Sequence, residues 1–397
     1  MRWLLPLVLS ACRGGTVDSP PPPRPPPEPA PHVSPTEPEP TPAARTVAPA
    51  PRGFWVYVGG YGHEIHRLSL DEAGTLAPAG APVDAGRNPS FVAVGPAQKF
   101  LFAANEIGRF EGNATGSVAS FAIDAETGGL TLVDRVSSQG RGPVHVVTDA
   151  TGRWLFVATY TEGNVAAIGV GPEGKLAGPV SVQAHGEGAQ SHMTMPSPDN
   201  DAVFVTNRAR DTIAQHRFDA ATGALTPNAV ALVSTPADAG PRHMDFHPTL
   251  SRAYVVHEDD DTIAVYRYDA QSRRLSERLQ TISTLPADAD HDASTGADIH
   301  VHPRGHVLYA SNRGHDSIAV FAVDEREGTL HSTGHRATGG KTPRNFAVTD
   351  DGRWMLIANQ KSNTIVPMAI DQTTGMPEPA GTPVPVGSPS VVVTVAR

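Results

Sequence analysis

The chain carries a single cysteine, Cys12. An intrachain disulfide is therefore excluded. Positive charge is also scarce: 31 Lys and Arg face 41 Asp and Glu, for a net charge of −10. Such a chain is a poor candidate for nucleic acid, whose partners usually present a basic face. Aromatics make up only 6% and hydrophobic residues 39%, so a core can be buried, though not a rich one. No amphipathic helical stretch occurs between residues 53 and 397. There is no G-x-S-x-G elbow for a serine nucleophile and no H-E-x-x-H zinc pair. No metal or cofactor is expected.

What is present begins at the N-terminus. "MRWLLPLVLSAC" has a basic residue, a short apolar run and a Leu9-Ser10-Ala11-Cys12 ending. The run is too short to span a bilayer and has the shape of a secretory signal. Its ending resembles the bacterial lipobox, which implies lipidation of Cys12 and a membrane anchor. Residues 1–12 are thus expected to be a lipoprotein signal. Residues 13–52, with "PPPPRPPPEPAP" at their centre, lack an apolar face and predict a disordered, extended tether. The expected location is the cell envelope, on the periplasmic side or the outer membrane.

From Gly53 onward the chain repeats. "VYVGG", "LFAAN", "LFVAT", "VFVTN", "AYVVH", "LYASN" and "LIAN" recur 45 to 55 residues apart. Each is followed by a second apolar run such as "TIAVYRYD", then a turn such as "AETGGL". Each is preceded by a short strand such as "GPVHVVT" or "PRNFAVT". Four short antiparallel strands per repeat, here A to D, predict an all-β seven-bladed propeller over 53–397. The domain starts on a B strand, "FWVYVGG", and ends on an unpaired A strand, "PSVVVTV". Placing the two side by side completes the seventh blade and removes open edges. The chain is expected to be a monomer.

Up-and-down blades put B–C and D–A turns on one face. Arg313, at the mouth of the hairpin "NRGHD", belongs to that face. So do Tyr61, Glu106, Tyr160, Arg208, Glu258 and Gln360 after other B strands, and Asn88, His192, Arg242, His243, Asp298, Arg344 and Asn345 from D–A turns. The "HPTLSR" and "DAQSRR" turns fall on the opposite face and read as generic solvent turns. Forked guanidinium donors suit a carboxylate, a phosphate or a developing oxyanion. Glu258 or His192 could act as general base on water. This set suits addition of water to an ester or lactone, with Glu106, Arg208, His243 and Arg344 as candidate substrate-binding groups. Charged residues at blade turns can instead tie blades together, which applies above all to Arg208 and Arg344, and His243 beside a proline turn can be packing alone. The acidic stretch "PADADHDASTG" spaces Asp288, Asp290 and Asp292 like the start of a calcium loop but lacks the glycine and final glutamate. It reads as a flexible solvated loop.

"NPSFVAV", "LFAANE", "GPRHMDFHP", "AYVVHE", "ADIHVHPRGHVLYASNRGHDSIAVF" and "PRNFAVTDDGRWMLIANQKSNTIVPMAID" resemble the seven-bladed lactonase family, which includes propeller-type 6-phosphogluconolactonases and a fungal carboxy-muconate cyclase. The resemblance covers essentially all of 53–397. It implies a hydrolase that opens a small sugar or acidic lactone, with His192, Arg242, Glu258 and Arg313 as active-site groups. A non-catalytic envelope propeller that binds a ligand or a protein on the same face is the alternative left open.

Overall fold

The computed structural model describes residues 53–397, so the expected signal, Cys12 and the tether over 13–52 lie outside the described residues. The described chain folds into seven antiparallel blades, numbered I to VII by their inner strands Pro89–Val94, Pro143–Thr148, Ser191–Pro196, Pro241–Phe246, Thr295–Val301, Pro343–Val348 and Pro389–Ala396. Blade I runs Pro89–Val94, Phe100–Asn105, Ser117–Ile123 and Leu130–Ser137, from inner strand A to outer strand D. Its B strand is buried almost throughout, with Leu101, Ala103 and Ala104 fully covered. Both faces of that strand lie under neighbouring blades, so it reads as a continuous apolar run. Its D strand is mostly half-buried or exposed, as an outer edge should be.

The core is not central. It consists of seven apolar layers between adjacent blades. In one layer Phe102 and Val118 of blade I meet Val146, Leu155 and Ile168 of blade II. Tyrosines on B strands reach across such layers. Tyr57 donates to the Gly128 carbonyl at 2.8 Å, Tyr254 to Gly328 at 2.9 Å and Tyr309 to Gly375 at 2.8 Å. Gly128 has φ +67°, and a Cβ there would lie 2.5 Å from the Trp55 ring of the next blade. Both the backbone sign and the close approach therefore require glycine.

Blade VII closes the ring as the sequence predicts. Phe54–Gly60 pairs antiparallel with Pro389–Ala396, in register from Phe54↔Ala396 to Gly59↔Val391. The outer strands of blades VI and VII are broken into Pro377–Pro379 with Val384–Pro385, and Leu76–Pro78 with Val83–Asp84. Prolines recur in both, and a residue without N–H is tolerated only at an edge or a break.

The turns of the opposite face are not generic. His247 is buried and donates from Nε2 to the Gly305 carbonyl of the next blade at 2.9 Å, while its Nδ1 accepts from the Leu250 amide at 2.9 Å. His302 repeats the bond, to Gly352 at 3.0 Å. Arg273 of "DAQSRR" pairs with Asp201 at 2.8 Å. In the acidic stretch, Asp290 accepts from the Asp292 amide and starts a short 3-10 turn over His291–Ala293.

Candidate active site

Inner strands begin alike: Pro89-Ser90-Phe91, Pro143-Val144-His145, Pro241-Arg242-His243, Pro343-Arg344-Asn345 and Pro389-Ser390-Val391. A regular strand would send successive side chains to opposite faces. Here the pairing slips by one residue at each start, between Pro241 and His243 and between Pro343 and Asn345, for example. Such a bulge re-aims side chains, and two consecutive residues come to face the channel. The second-position residues Ser90, Val144, Arg242, Arg344 and Ser390, with His192 and Glu106, line a small cavity at the mouth. Phe91, His145, His243, Asp298 and Asn345 form a tier below and line a larger chamber of about 320 Å³.

Glu258 is the hub of the mouth. Its Oε2 lies 3.0 Å from Arg242 Nε, and its Oε1 lies 3.3 Å from both Arg208 Nε and Arg313 Nη2. Arg208 also pairs with Asp259 and reaches Gln190 Oε1 at 2.9 Å and the Tyr160 hydroxyl at 3.3 Å. Arg313 donates to the Gly296 carbonyl at 2.9 Å, and Arg242 to that of Ala297. Burial pushes the Glu258 carboxyl up, but Arg242, Arg313 and Arg208 outweigh it and hold its pKa at about 2. Arg242 is 2% exposed. Burial, then Arg313 and Arg344, lower its pKa to about 9, so it is cationic at neutral pH. Arg208, Arg242, Arg313 and the neighbouring Arg344 outnumber the carboxylates Glu258, Asp259 and Glu106 beside them, which leaves surplus positive charge at the mouth. Beside it Arg344 stacks over the Tyr61 ring at 5.5 Å, and the Tyr61 hydroxyl donates to Glu106 at 2.9 Å.

Two imidazoles at the mouth cavity, His192 and His243, are neutral, whereas His300 beneath them is not. Burial, reinforced by Arg242, holds His192 well under its usual pKa. Its ring centroid lies 5.2 Å from that of His243. His243 Nδ1 sits 2.6 Å from Asp298 Oδ1. Burial and Arg242 lower His243 to about 4 even though Asp298 pulls it up. Asp298 Oδ2 takes His300 Nε2 at 3.1 Å, the Asn345 side-chain amide at 2.5 Å and the Phe346 amide at 3.1 Å. Burial would raise that carboxyl, but His300 and His243 keep it well below its usual range. His300, although desolvated, is raised to about 9 by Asp298.

All eight residues expected from the sequence gather at this mouth. His192, Arg242, His243, Arg344 and Glu106 share the small cavity, while Glu258 joins Arg208, Arg242 and Arg313. Sequence reasoning put Asp298 and Asn345 on this face but gave them no place in the site, and it passed over His145 and His300. Aligning the inner strands on their prolines would have picked out His145, His243 and Asn345 as one tier.

Fold and mouth together describe a seven-bladed propeller whose channel opens among clustered guanidiniums and buried imidazoles. Comparison with known proteins gives that class a family: the family model described as "Lactonase, 7-bladed beta-propeller" matches residues 55–394. The chain belongs to this family, and lactonase hydrolase is its enzyme class. A 6-phosphogluconolactonase of Formosa agariphila is 31% identical, covering 79% of this chain and 90% of the relative. The 6-phosphogluconolactonase of Bacillus subtilis is 30% identical, covering 75% and 86%. The solved periplasmic gluconolactonase of Pseudomonas aeruginosa is 29% identical with a TM-score of 0.79, covering 87% of this chain and 99% of that one.

Proposed function

We propose that the chain hydrolyses a sugar-derived lactone at the arginine-rich mouth of the channel. The observation that carries this reading is the cluster of Arg208, Arg242 and Arg313 around Glu258, set beside the neutral imidazoles of His192 and His243. Arg242 and Arg313 hold an anionic group of the substrate and the charge that develops on the carbonyl oxygen. Glu258 fixes the arginine forks. Held near 2, its carboxylate is a weak base, so water activation passes to an imidazole. Arg208 and Arg344 complete the cationic rim, and Glu106 with Tyr61 offers hydrogen bonds to sugar hydroxyls. The substrate class follows the relatives, which are named 6-phosphogluconolactonase and gluconolactonase.

The chain acts in the cell envelope as a monomer, anchored by lipid on Cys12 and held off the membrane by residues 13–52. The lipobox-like ending supports the anchor, and the periplasmic relative supports the compartment. The test is acid release, followed by pH-stat, from a panel of aldonolactones with and without phosphate. Wild type is expected to release acid and Arg242→Ala to lose nearly all of it. A wild type inert towards every lactone would return the mouth to a ligand-binding role.

A further inference from the structure

The functional reading leaves the water-activating base open between two imidazoles, and the tier below the mouth separates them. His243 and Asp298 form a buried pair, 4% and 3% exposed, with Nδ1 and Oδ1 2.6 Å apart. The carboxylate accepts, so Nδ1 carries the proton and Nε2 presents its lone pair. Nε2 has no hydrogen-bond partner among the described residues, although it is fully buried. The same ring lines the mouth cavity together with His192 and Arg242. That cavity measures about 10 Å³, close to the roughly 10–15 Å³ that one water needs.

We propose that His243 is the general base of the lactonase reaction, acting on a single water in this niche, with Asp298 as its positioning residue. This proposal rests on the lactonase reading of the mouth. His243 Nε2 takes a proton from water as the water oxygen bonds to the lactone carbonyl carbon. Arg242, the neighbour on the same strand, faces the oxygen that gains charge. The imidazolium then gives the proton to the ring oxygen as the acyl C–O bond breaks. Lactone and water thus become one hydroxy acid, which ionises in solvent.

His192 is less suited to this task. Among the described residues its Nδ1 is also unpartnered, but no carboxylate pairs with it, and Arg242, Arg344 and Arg313 all oppose its protonation. His243 acquires its proton directly against an anion. Asp298 is itself braced by His300, Asn345 and the Phe346 amide, so three blades hold the pair in one orientation. An orienting carboxylate of this kind keeps the imidazole in the productive tautomer, and replacing it by an amide costs up to ~10⁴-fold in kcat where that has been measured in a Ser-His-Asp triad.

The experiment uses the full chain, with glucono-δ-lactone and its phosphorylated form as probes. His243→Ala is expected to lower kcat by about 10²–10⁴-fold with KM nearly kept. Added imidazole should restore part of that rate in His243→Ala and none in His192→Ala. Asp298→Asn should lower kcat while the gluconate inhibition constant stays at the wild-type value. Because Asp298 also braces the fold, the His243→Ala rescue stands as the independent arm. Rescue confined to His192→Ala, or His243→Ala turning over within threefold of wild type, would overturn this proposal while leaving the functional reading intact. Wild type inert on both probes and on the wider lactone panel would overturn both.

Discussion

Replacing Glu258 by glutamine removes one negative charge from among three guanidiniums and changes little in shape. Its folded pKa of about 2 compares with 4.5 for the free group. At ~1.4 kcal/mol per unit, that difference is worth about 3 kcal/mol. Glu258 is 16% exposed, so solvent screens this only in part. Breaking a buried pair by removing one partner costs roughly 3–5 kcal/mol, in agreement. With ~2 cal/mol/K of unfolding entropy per residue, a loss of about 3 kcal/mol lowers the melting temperature of a domain this size by about 4 °C. The sign with pH follows from the depressed pKa. The stabilisation is complete above about 4.5 and disappears as pH falls through about 2, so the gap between wild type and Glu258→Gln should shrink to roughly half by pH 3. Sulfate should partly restore the variant at pH 7, because an added dianion can settle among Arg208, Arg242 and Arg313. Melting curves at pH 7 and pH 3, with and without sulfate, read all of this. A variant as stable as wild type at pH 7 would refute the view that Glu258 organises the arginines.

Removing Pro389–Ala396 takes the inner strand from blade VII and exposes the edge of Phe54–Gly60. The truncated chain should aggregate or fail to fold, and a soluble product with a cooperative, wild-type melt would contradict the closure. His300 has a folded pKa of about 9, above its usual 6.5, so its stabilisation is whole below about 6.5 and fades as pH rises through 9. His300→Gln should flatten the stability profile over that window, and an unchanged slope would show that another group titrates there. Cys12→Ser should release the protein into the soluble fraction, and an unacylated wild-type N-terminal peptide that still sediments with membranes would exclude the anchor.

The ring was legible because both faces of the B strands are covered. "LFVAT" and "LYASN" read as continuous apolar runs, and their spacing counts the blades. The mouth was legible because turn position alone assigns a face, which gathered His192, Arg242, Glu258 and Arg313 without coordinates. Partners were harder to read. That one carboxylate would serve three arginines depends on blades III, IV and V converging at an angle no spacing records. His243, Asp298 and Asn345 were placed on this face, but that they form one tier with His145 stayed hidden, because strand alternation sends every other residue away from the channel and only the slip at each strand start overrides it. His247 and His302 look like turn residues until the next blade's carbonyl is seen 2.9 and 3.0 Å away.

The most direct test of the catalytic mouth is Arg313→Lys, with lactone turnover and melting temperature measured on the same samples. Lysine keeps the charge beside Glu258 but loses the planar guanidinium, whose Nη2 meets both Glu258 and the Gly296 carbonyl while its other N–H groups stay free to donate to a substrate. A guanidinium that stabilises transition-state charge contributes ~3 kcal/mol, or about a hundredfold in rate. The predicted result is a fall in kcat/KM of about that size with the melting temperature within 2–3 °C of wild type. Turnover near wild type in a protein that melts markedly lower would assign Arg313 to stapling blades IV and V, and would contradict catalysis at this mouth.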